Sequence, residues 1–152
     1  MELDNIDRKI LRLLQANGAL SQVALAEQVG ASSASCWRRI KAMENAGILK
    51  GTVRLVDAEA AGLPVNVLCH VRLTNHLPAT SEVFETFLET RAEVVECYAV
   101  SGDWDYLLRV VAKDITSYEI FLRRHLLAHP GVSTASSNFA LSQRKYTTAL
   151  PI

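Results

Sequence analysis

Residues 22–49, QVALAEQVGASSASCWRRIKAMENAGIL, contain two short helix-like segments that are separated by a glycine. The first segment begins after Ser21, which suits an N-cap, and ends at Gly30, because glycine readily adopts the left-handed conformation that closes a helix. The second begins after Ser32 or Ser33, either of which suits an N-cap, and continues to about Asn45, with Ala46-Gly47 as its end. Two short helices joined by a tight turn, the second of them basic, are typical of a helix-turn-helix.

A further helix is predicted upstream, from Asn5 to about Ala16. Asp4 suits its N-cap, because a carboxylate accepts a free N–H of the first turn. Its apolar side chains recur at helical spacing. They are Ile6, Ile10, Leu13 and Leu14. The helix is expected to stop at Asn17-Gly18, with Gly18 as a left-handed cap. The three helices together predict an N-terminal winged helix-turn-helix.

The second helix of the motif has one apolar face and one basic face. Cys36, Ile40 and Met43 share the apolar face and are expected to pack on the other two helices. The opposite face is small, polar and positive, which suits guanine edges and phosphates. Arg39 lies on one flank, where it either reaches a phosphate or locks the helix to its neighbours. Trp37 lies on the other flank and is interpreted as a partly buried packing residue rather than a base-stacking one.

The β-prone run 48–56 follows this helix and predicts a wing or a connecting strand. Its basic side chains could touch backbone phosphates. The predicted DNA-binding residues are Ser33, Ser35, Trp37, Arg38, Arg39, Lys41, Asn45, Lys50 and Arg54.

Charge distribution supports this assignment although the formal net charge of the chain is zero. Residues 1–57 carry eight Lys or Arg and six Asp or Glu, a net charge of +2, and residues 58–152 carry −2. Residues 32–54 alone carry +4. A local basic patch on a neutral chain fits an electrostatic footprint for nucleic acid, although a solvated helix face would have the same composition.

The second part of the chain alternates strand and helix patterns after a short turn and linker at 57–64. Residues 65–74 alternate apolar and polar side chains, as a half-buried strand does. The predicted elements after it are a helix over 80–91, strands over 94–100 and 106–112, a helix over 117–129 and an extended segment over 132–141. The order β-α-β-β-α-β is ferredoxin-like and leaves one sheet face open, which a second copy or a partner tends to bury. The predicted fold class is therefore α+β, with domains 1–57 and 65–152 joined by the linker 58–64.

The loop Ser101–Asp105 combines a glycine with two carboxylates. Gly102 allows positive φ or close approach of a ligand, and exposed N–H groups in such a turn hold a carboxylate. Asp103 and Asp105 suit an ammonium group, so that the loop matches both charges of a free amino acid. The same composition also suits an ordinary hairpin loop, and turn statistics alone favour that interpretation.

Other function classes find little support. Cys36, Cys69 and Cys97 are far apart and are expected to be reduced and packed in the core rather than to bind metal. The sequence has no glycine-rich phosphate loop or nucleophile motif, so neither an enzyme nor a cofactor is predicted. No apolar run approaches the roughly 18–20 residues of a membrane span, and residues 1–4 do not resemble a signal peptide. A cytoplasmic protein is expected.

Four stretches in order resemble the Lrp/AsnC, or feast/famine, family of bacterial and archaeal transcriptional regulators. They are LDNIDRKIL at 3–11, the helix-turn-helix and its exit from Leu25 to Leu49, SGDWDYLL at 101–108, and KYTTALPI at 145–152. The stretch Cys36-Trp37-Arg38-Arg39 is similar to a subgroup associated with sulfur amino acids, particularly cysteine.

The resemblance implies a regulator of amino-acid metabolism that binds double-stranded DNA and a free amino acid as effector. It also implies a sheet-to-sheet dimer of the second domain, often assembled further into tetramers or octamers, with the effector at an interface between such domains. For the loop it favours a ligand site, to which the preceding strand and the last strand contribute. The residues it implies for effector binding are Tyr98, Ala99, Val100, Ser101, Gly102, Asp103, Trp104, Asp105, Thr134, Ser136 and Ser137.

Overall fold

The computed structural model describes residues 1–152. The chain forms two compact units, one from residues 1–55 together with 144–152 and the other from residues 56–143. The first boundary lies close to the predicted one at residue 57. Residues 144–152, however, group with the N-terminal unit and not with the second domain, where the sequence analysis placed them.

Three helices build the N-terminal unit. They are α1 (Asn5–Ala16), α2 (Gln22–Val29) and α3 (Ser33–Asn45). Each begins at a predicted cap: the side chains of Asp4, Ser21 and Ser32 accept backbone N–H groups of the first turn. Between Asp4 and Asp7 the capping is reciprocal, because each carboxylate also accepts the other residue's N–H. Local sequence therefore places the start of each helix.

Apolar side chains from all three helices meet in one core. Its buried members are Ile10, Leu11, Leu25, Ala26, Val29, Cys36 and Met43. Burying one large aliphatic side chain contributes about 1.5–3 kcal/mol, so these contacts, more than helix propensity, hold the three short helices together.

Two local expectations for this unit need correction. Gly18 is not a left-handed cap, since only Gly30 and Gly47 close their helices with positive φ, at 81° and 71°. A Cβ on Gly18 would lie 3.0 Å from the Thr52 methyl group, so this glycine permits a close approach instead. The run 48–56, moreover, forms no strand in this chain. In this chain it is an irregular connection rather than the predicted wing or connecting strand, and it passes beside Gly18.

A four-stranded antiparallel sheet and two helices build the second unit. Its elements are β1 (Val65–Leu73), α4 (Pro78–Glu89), β2 (Val94–Ala99), β3 (Tyr106–Ala112), α5 (Ile115–Phe121) and β4 (Val132–Phe139). The strand order is β2-β3-β1-β4, which confirms the predicted ferredoxin-like arrangement. A π-helical turn, Leu122–Leu126, continues α5. The predicted helix over 117–129 therefore begins two residues earlier and changes its winding before it ends.

Strand alternation separates a helix-covered face of the sheet from an open face. On β1, Cys69 and Val71 point into the core with Phe84 of α4 and Phe121 of α5. Leu68 belongs to the open face and is 39% exposed. Cys36 and Cys69 are buried as expected, whereas Cys97 is exposed, because edge strand β2 is covered only in part. None of the helices is both long enough and apolar enough to cross a membrane.

Candidate functional site

Helix α3 presents the predicted basic face to solvent. Cys36 and Met43 are fully buried, which turns Arg38, Lys41 and Asn45 outward, and all three are exposed. The remaining polar members differ in exposure. Ser33, Lys50 and Arg54 are exposed, while Ser35 is half-buried and its N–H donates to Ser32 Oγ at 3.2 Å. The assignment of these residues to DNA contact stays a prediction.

Arg39 locks α3 to α1. Its Nη1 atom lies 2.7 Å from Asp4 Oδ2 and 2.8 Å from Asp7 Oδ1. Asp7 is only 3% exposed and is the one buried charged residue of the chain. The two carboxylates that cap α1 thus also bind the guanidinium. Of the two roles considered for Arg39, the structure shows the lock, and both of its carboxylate partners lie within its own unit.

Acid should loosen this lock. The pKa of the Asp4 carboxyl lies below its ordinary value of 3.8, because the backbone N–H of Asp7 and the Arg39 guanidinium both favour the charged form. The resulting stabilisation is complete above that ordinary value and is lost as the pH falls through the lower folded-state pKa. We expect the unfolding midpoint of the N-terminal unit to fall with pH below about 4. Fluorescence of Trp37 in a Trp104→Phe background measures it, and Asp4→Asn should flatten this dependence. An equally steep dependence in Asp4→Asn would contradict the assignment.

Trp37 is more exposed than a packing role requires. Its side chain is 52% exposed on α3, so the interpretation as a partly buried packing residue accounts for only half of the ring. Helical geometry places it on the same flank as Lys41, whose Nζ lies 2.6 Å from Glu44 Oε2. An apolar ring thus borders the basic face. Such a ring suits the methyl group of thymine in a major groove.

In the second unit, several contacts hold the loop Ser101–Asp105 against β1. Asp105 Oδ2 accepts the N–H of Leu73 at 2.7 Å, and Asp105 Oδ1 lies 3.3 Å from His76 Nδ1. Arg72 donates from Nε to the backbone oxygen of Asp103 at 2.8 Å, and its guanidinium lies 5.1 Å from the centre of the Trp104 ring. Asp105 therefore positions the loop, and its expected role as an ammonium partner stays a prediction.

The groups that stay free in this loop match a carboxylate and an ammonium. Backbone bonds flank it, from Val100 N–H to Asp105 O and from Asp105 N–H to Val71 O, each at 3.0 Å. The four N–H groups between, those of residues 101–104, donate no hydrogen bond within the chain. Gly102 has a φ of 106°, which L side chains rarely adopt. The Asp103 carboxylate is exposed and has no partner in the chain. Consecutive free N–H groups form an anion-binding concavity.

The structure brings only part of the predicted effector set to this loop. Thr134 pairs with Arg72 and Ser136 with His70, so both lie on the open face beside the loop. Tyr98 is on the same face, one strand beyond, where its hydroxyl donates to Glu96. Ser137 points the other way, and its hydroxyl lies 2.5 Å from that of Tyr118 under the helices.

Ala99 also belongs to the helix-covered face. It lines an open pocket of about 370 Å³ between α4 and β2, together with Cys97 and Tyr106. Ala99 and Ser137 are therefore not placed beside the loop, because alternation along a strand sends neighbouring side chains to opposite faces.

Sequence reasoning missed two residues that shape this surface. Arg72 and His70 flank Trp104, with 5.7 Å between the His70 and Trp104 ring centres. The polar positions of the alternating β1 pattern were the signal available. Their proximity to the loop depends on β1 lying next to β3, which pairing across the sheet decides.

Comparisons with known proteins agree with both halves of this description. Residues 66–150 match the family model of the Lrp/AsnC ligand-binding domain, and residues 3–50 match a winged helix-turn-helix DNA-binding model. The DNA-binding transcriptional activator DecR of Escherichia coli strain K12 is 41% identical over 150 residues, which cover 99% of each protein.

Solved structures agree over nearly the whole chain. A transcriptional regulator from Neisseria meningitidis, solved as its L-Met complex, has a TM-score of 0.94 and 37% identity, covering 99% of this chain and 97% of that one. An AsnC family transcriptional regulator from Agrobacterium tumefaciens has a TM-score of 0.91 and 42% identity, covering 98% and 97%. This is a family of transcriptional regulators and not of enzymes, which confirms that prediction. The chain therefore belongs to the Lrp/AsnC family of DNA-binding transcriptional regulators.

Proposed function

We propose that this regulator reads DNA with the exposed face of α3 and adjusts its binding to the level of a free amino acid held at the loop Ser101–Asp105. The observation that carries the DNA assignment is the orientation of α3. Cys36 and Met43 are fully buried and Arg39 is bound to Asp4 and Asp7, so that Arg38 and Asn45 stay free on the surface. Lys41 is also exposed, and its one ionic partner is Glu44 on the same helix. Arginine and lysine in this position supply donors to base edges and phosphates.

The effector is proposed to be a free amino acid because the loop offers complementary charges within a few residues. The free N–H groups of residues 101–104 suit an α-carboxylate, and the Asp103 carboxylate suits an α-ammonium. The complex of the Neisseria relative contains L-Met. Together with the Cys36-Trp37-Arg38-Arg39 stretch, this makes sulfur amino acids the first compounds to test.

Self-association is proposed to complete the effector site. The open face of the sheet carries Leu68 and Leu107 among polar side chains and has no partner within the chain. A second copy laid on this face would cover both leucines and stand next to the loop. We propose a dimer, with tetramers or octamers built from it, in the cytoplasm, where the DNA of a bacterial cell lies.

A thermal-shift screen with the protein amino acids tests the effector. A bound amino acid stabilises the folded state by mass action, by about 2.7 kcal/mol at a concentration of 100 times its Kd, which corresponds to several degrees in Tm. We expect one compound or a small related set to raise Tm, and the effector to change the affinity for a DNA duplex selected by the protein from a random pool.

Gly102→Val then locates the site. A β-branched side chain at a φ of 106° is strained, and relaxation of the loop would remove the free N–H groups from their positions. We expect effector affinity, measured by calorimetry, to fall about tenfold or more while DNA affinity without effector is retained. The matched control is Gly62→Val, which imposes the same strain at a φ of 84° outside the loop. Normal titration of Gly102→Val would show that the loop is not the site.

A further inference from the structure

The outer face of α1 binds an extended segment of the same chain. After β4 ends at Phe139, the chain returns to the N-terminal unit, to which residues 144–152 belong. We refer to residues 144–152 as the tail. Nothing in the amphipathic pattern of α1 indicates this contact, since the residues that make it lie among the polar positions of the helix.

The side chain of Gln15 binds the backbone of the tail. The Gln15 carboxamide accepts the N–H of Leu150 at 2.6 Å and donates from Nε2 to the oxygen of the same residue at 3.3 Å. This two-point arrangement imitates one rung of a β-ladder. It requires an extended segment, and it is independent of the Leu150 side chain, which stays 67% exposed.

Two further contacts continue from this rung. Arg12, one helical turn before Gln15, donates from Nε to the backbone oxygen of Ile152 at 2.5 Å. The Ile152 side chain is half-buried and packs against the hydrophobic core of the three helices. Between these anchors stands Pro151, which has no N–H to satisfy and restricts φ, so that less conformational entropy is lost on docking. A polar rung, a charge-assisted hydrogen bond and an apolar anchor thus act together.

We propose that the outer face of α1 is a docking surface whose occupant is the chain's own tail, and that the docked tail is a working part of the DNA-binding unit. The tail is bonded to α1 and packs on the core, and no hydrogen bond or ion pair joins it to the basic face of α3, so we expect docking to support DNA binding rather than to block it. The tail also follows β4, which carries Thr134 and Ser136. If those residues contact the effector, a point that rests on the proposed function, then displacement of β4 is passed along the chain to α1.

Deletion of residues 144–152 tests the proposal in a Trp104→Phe background, where Trp37 is the only indole and reports on the N-terminal unit. We expect the unfolding midpoint of that unit to fall by several degrees, and the affinity for the selected DNA duplex to fall severalfold. Adding the peptide KYTTALPI, residues 145–152, should restore the midpoint in a saturable manner. An unchanged midpoint after deletion would overturn the proposal, whatever the DNA assay shows.

The side-chain assignment is tested with a matched pair of glutamine variants. In the deleted chain, Gln15→Ala should weaken peptide binding about tenfold, because two hydrogen bonds are lost. Gln28→Ala, at an exposed position of α2, should leave it unchanged. A peptide carrying Ile152→Asp should also bind the deleted chain weakly. Its affinity should be no higher than the affinity of the normal peptide for the Gln15→Ala variant. Equal affinity in the Gln15→Ala and Gln28→Ala chains would overturn the docking surface.

Dilution tests whether the docked tail belongs to the same chain or to a second copy. Dissociation of the proposed dimer would affect the intact and the deleted chain alike, so docking within one chain gives a difference between their Trp37 unfolding midpoints that does not change with protein concentration, and this is the expected result. A midpoint that falls toward the value of the deleted chain on dilution would assign the tail to a second copy and overturn the occupant proposed. If the intact protein binds no DNA, the proposed function fails, but the midpoint and peptide measurements still decide the role of the tail.

Discussion

Arg38→Ala should weaken binding to the selected duplex about 10- to 100-fold at physiological salt while leaving the unfolding midpoint nearly unchanged. Arg38 stands exposed at the centre of the basic face, and no carboxylate in the chain engages it. A bidentate contact of arginine with a guanine edge is worth about 1–3 kcal/mol of discrimination. Truncation of a freely exposed side chain changes stability by only about 0.5 kcal/mol.

The measurement is a fluorescence-anisotropy titration at several salt concentrations. Arg124→Ala is the matched control, because it removes an equally exposed arginine from the second unit. If Arg38 reads a base, the variant should also relax preference at one operator position. If it binds only phosphate, the affinity should fall for all sequences alike and the salt dependence should become shallower. Full affinity in Arg38→Ala would contradict the assignment of α3 as the reading helix.

Arg39→Ala, one residue further along, should have the opposite phenotype and destabilise the N-terminal unit by roughly 3 kcal/mol. The guanidinium is the cationic partner of Asp7, whose carboxylate is 3% exposed. Breaking a buried pair from one side leaves an uncompensated charge and typically costs 3–5 kcal/mol. The lower end applies here because the Arg39 side chain is 28% exposed and is therefore partly screened by solvent.

Urea unfolding followed by Trp37 fluorescence in the Trp104→Phe background measures this loss. The decisive comparison is a double-mutant cycle with Asp7→Asn. Arg39→Ala together with Asp7→Asn should be more stable than Arg39→Ala alone, because no unpaired buried charge is left. Additive losses would show that the two side chains do not interact. Arg38→Ala is the internal control, because it makes the same substitution on the same helix and therefore changes helix propensity equally.

These two arginines show where sequence reasoning reaches its limit. They are adjacent, chemically identical and both on or near the face that periodicity marks as polar. Periodicity placed Arg39 on a flank and left two roles open. What decides between the roles is whether an acceptor from another helix lies within reach, and α1 supplies two of them. Trp37 is the counterpart on the other flank, where the neighbouring elements leave about half of the side chain uncovered.

The candidate effector site also combines features that the sequence indicated with features that only the structure shows. Composition drew attention to the loop through Gly102 and its two aspartates, and the family resemblance favoured it as a ligand site over an ordinary hairpin loop. The structure separates the carboxylates, because Asp105 is bonded to the Leu73 N–H and Asp103 is left free. Strand pairing added Arg72, which no local pattern connected with residue 103. The same pairing sent Ser137 to the opposite face of the sheet.

The sequence by itself determined the features that depend on near neighbours. These features act over a few residues, so they can be predicted without knowledge of the fold. They are the helix caps at Asp4, Ser21 and Ser32, the glycines after α2 and α3, and the spacing of apolar side chains. The order of elements then implied the ferredoxin-like sheet. The family resemblance, carried by four stretches in order, pointed to the same architecture and to DNA binding.

Only the tertiary structure decided which polar groups are used up and which are left free. Arg39 is ion-paired with α1, and Asp105 is hydrogen-bonded to β1. Gln15 and Arg12 are hydrogen-bonded to the tail, which lies some 135 to 140 residues away in sequence. The run 48–56 has high strand propensity, yet it has no ladder partner in the chain and stays a connection. The physical reason is common to all of these. A hydrogen bond or ion pair needs two groups within a few ångströms of each other. The sequence gives the identity of both groups, but only the fold determines the distance between them.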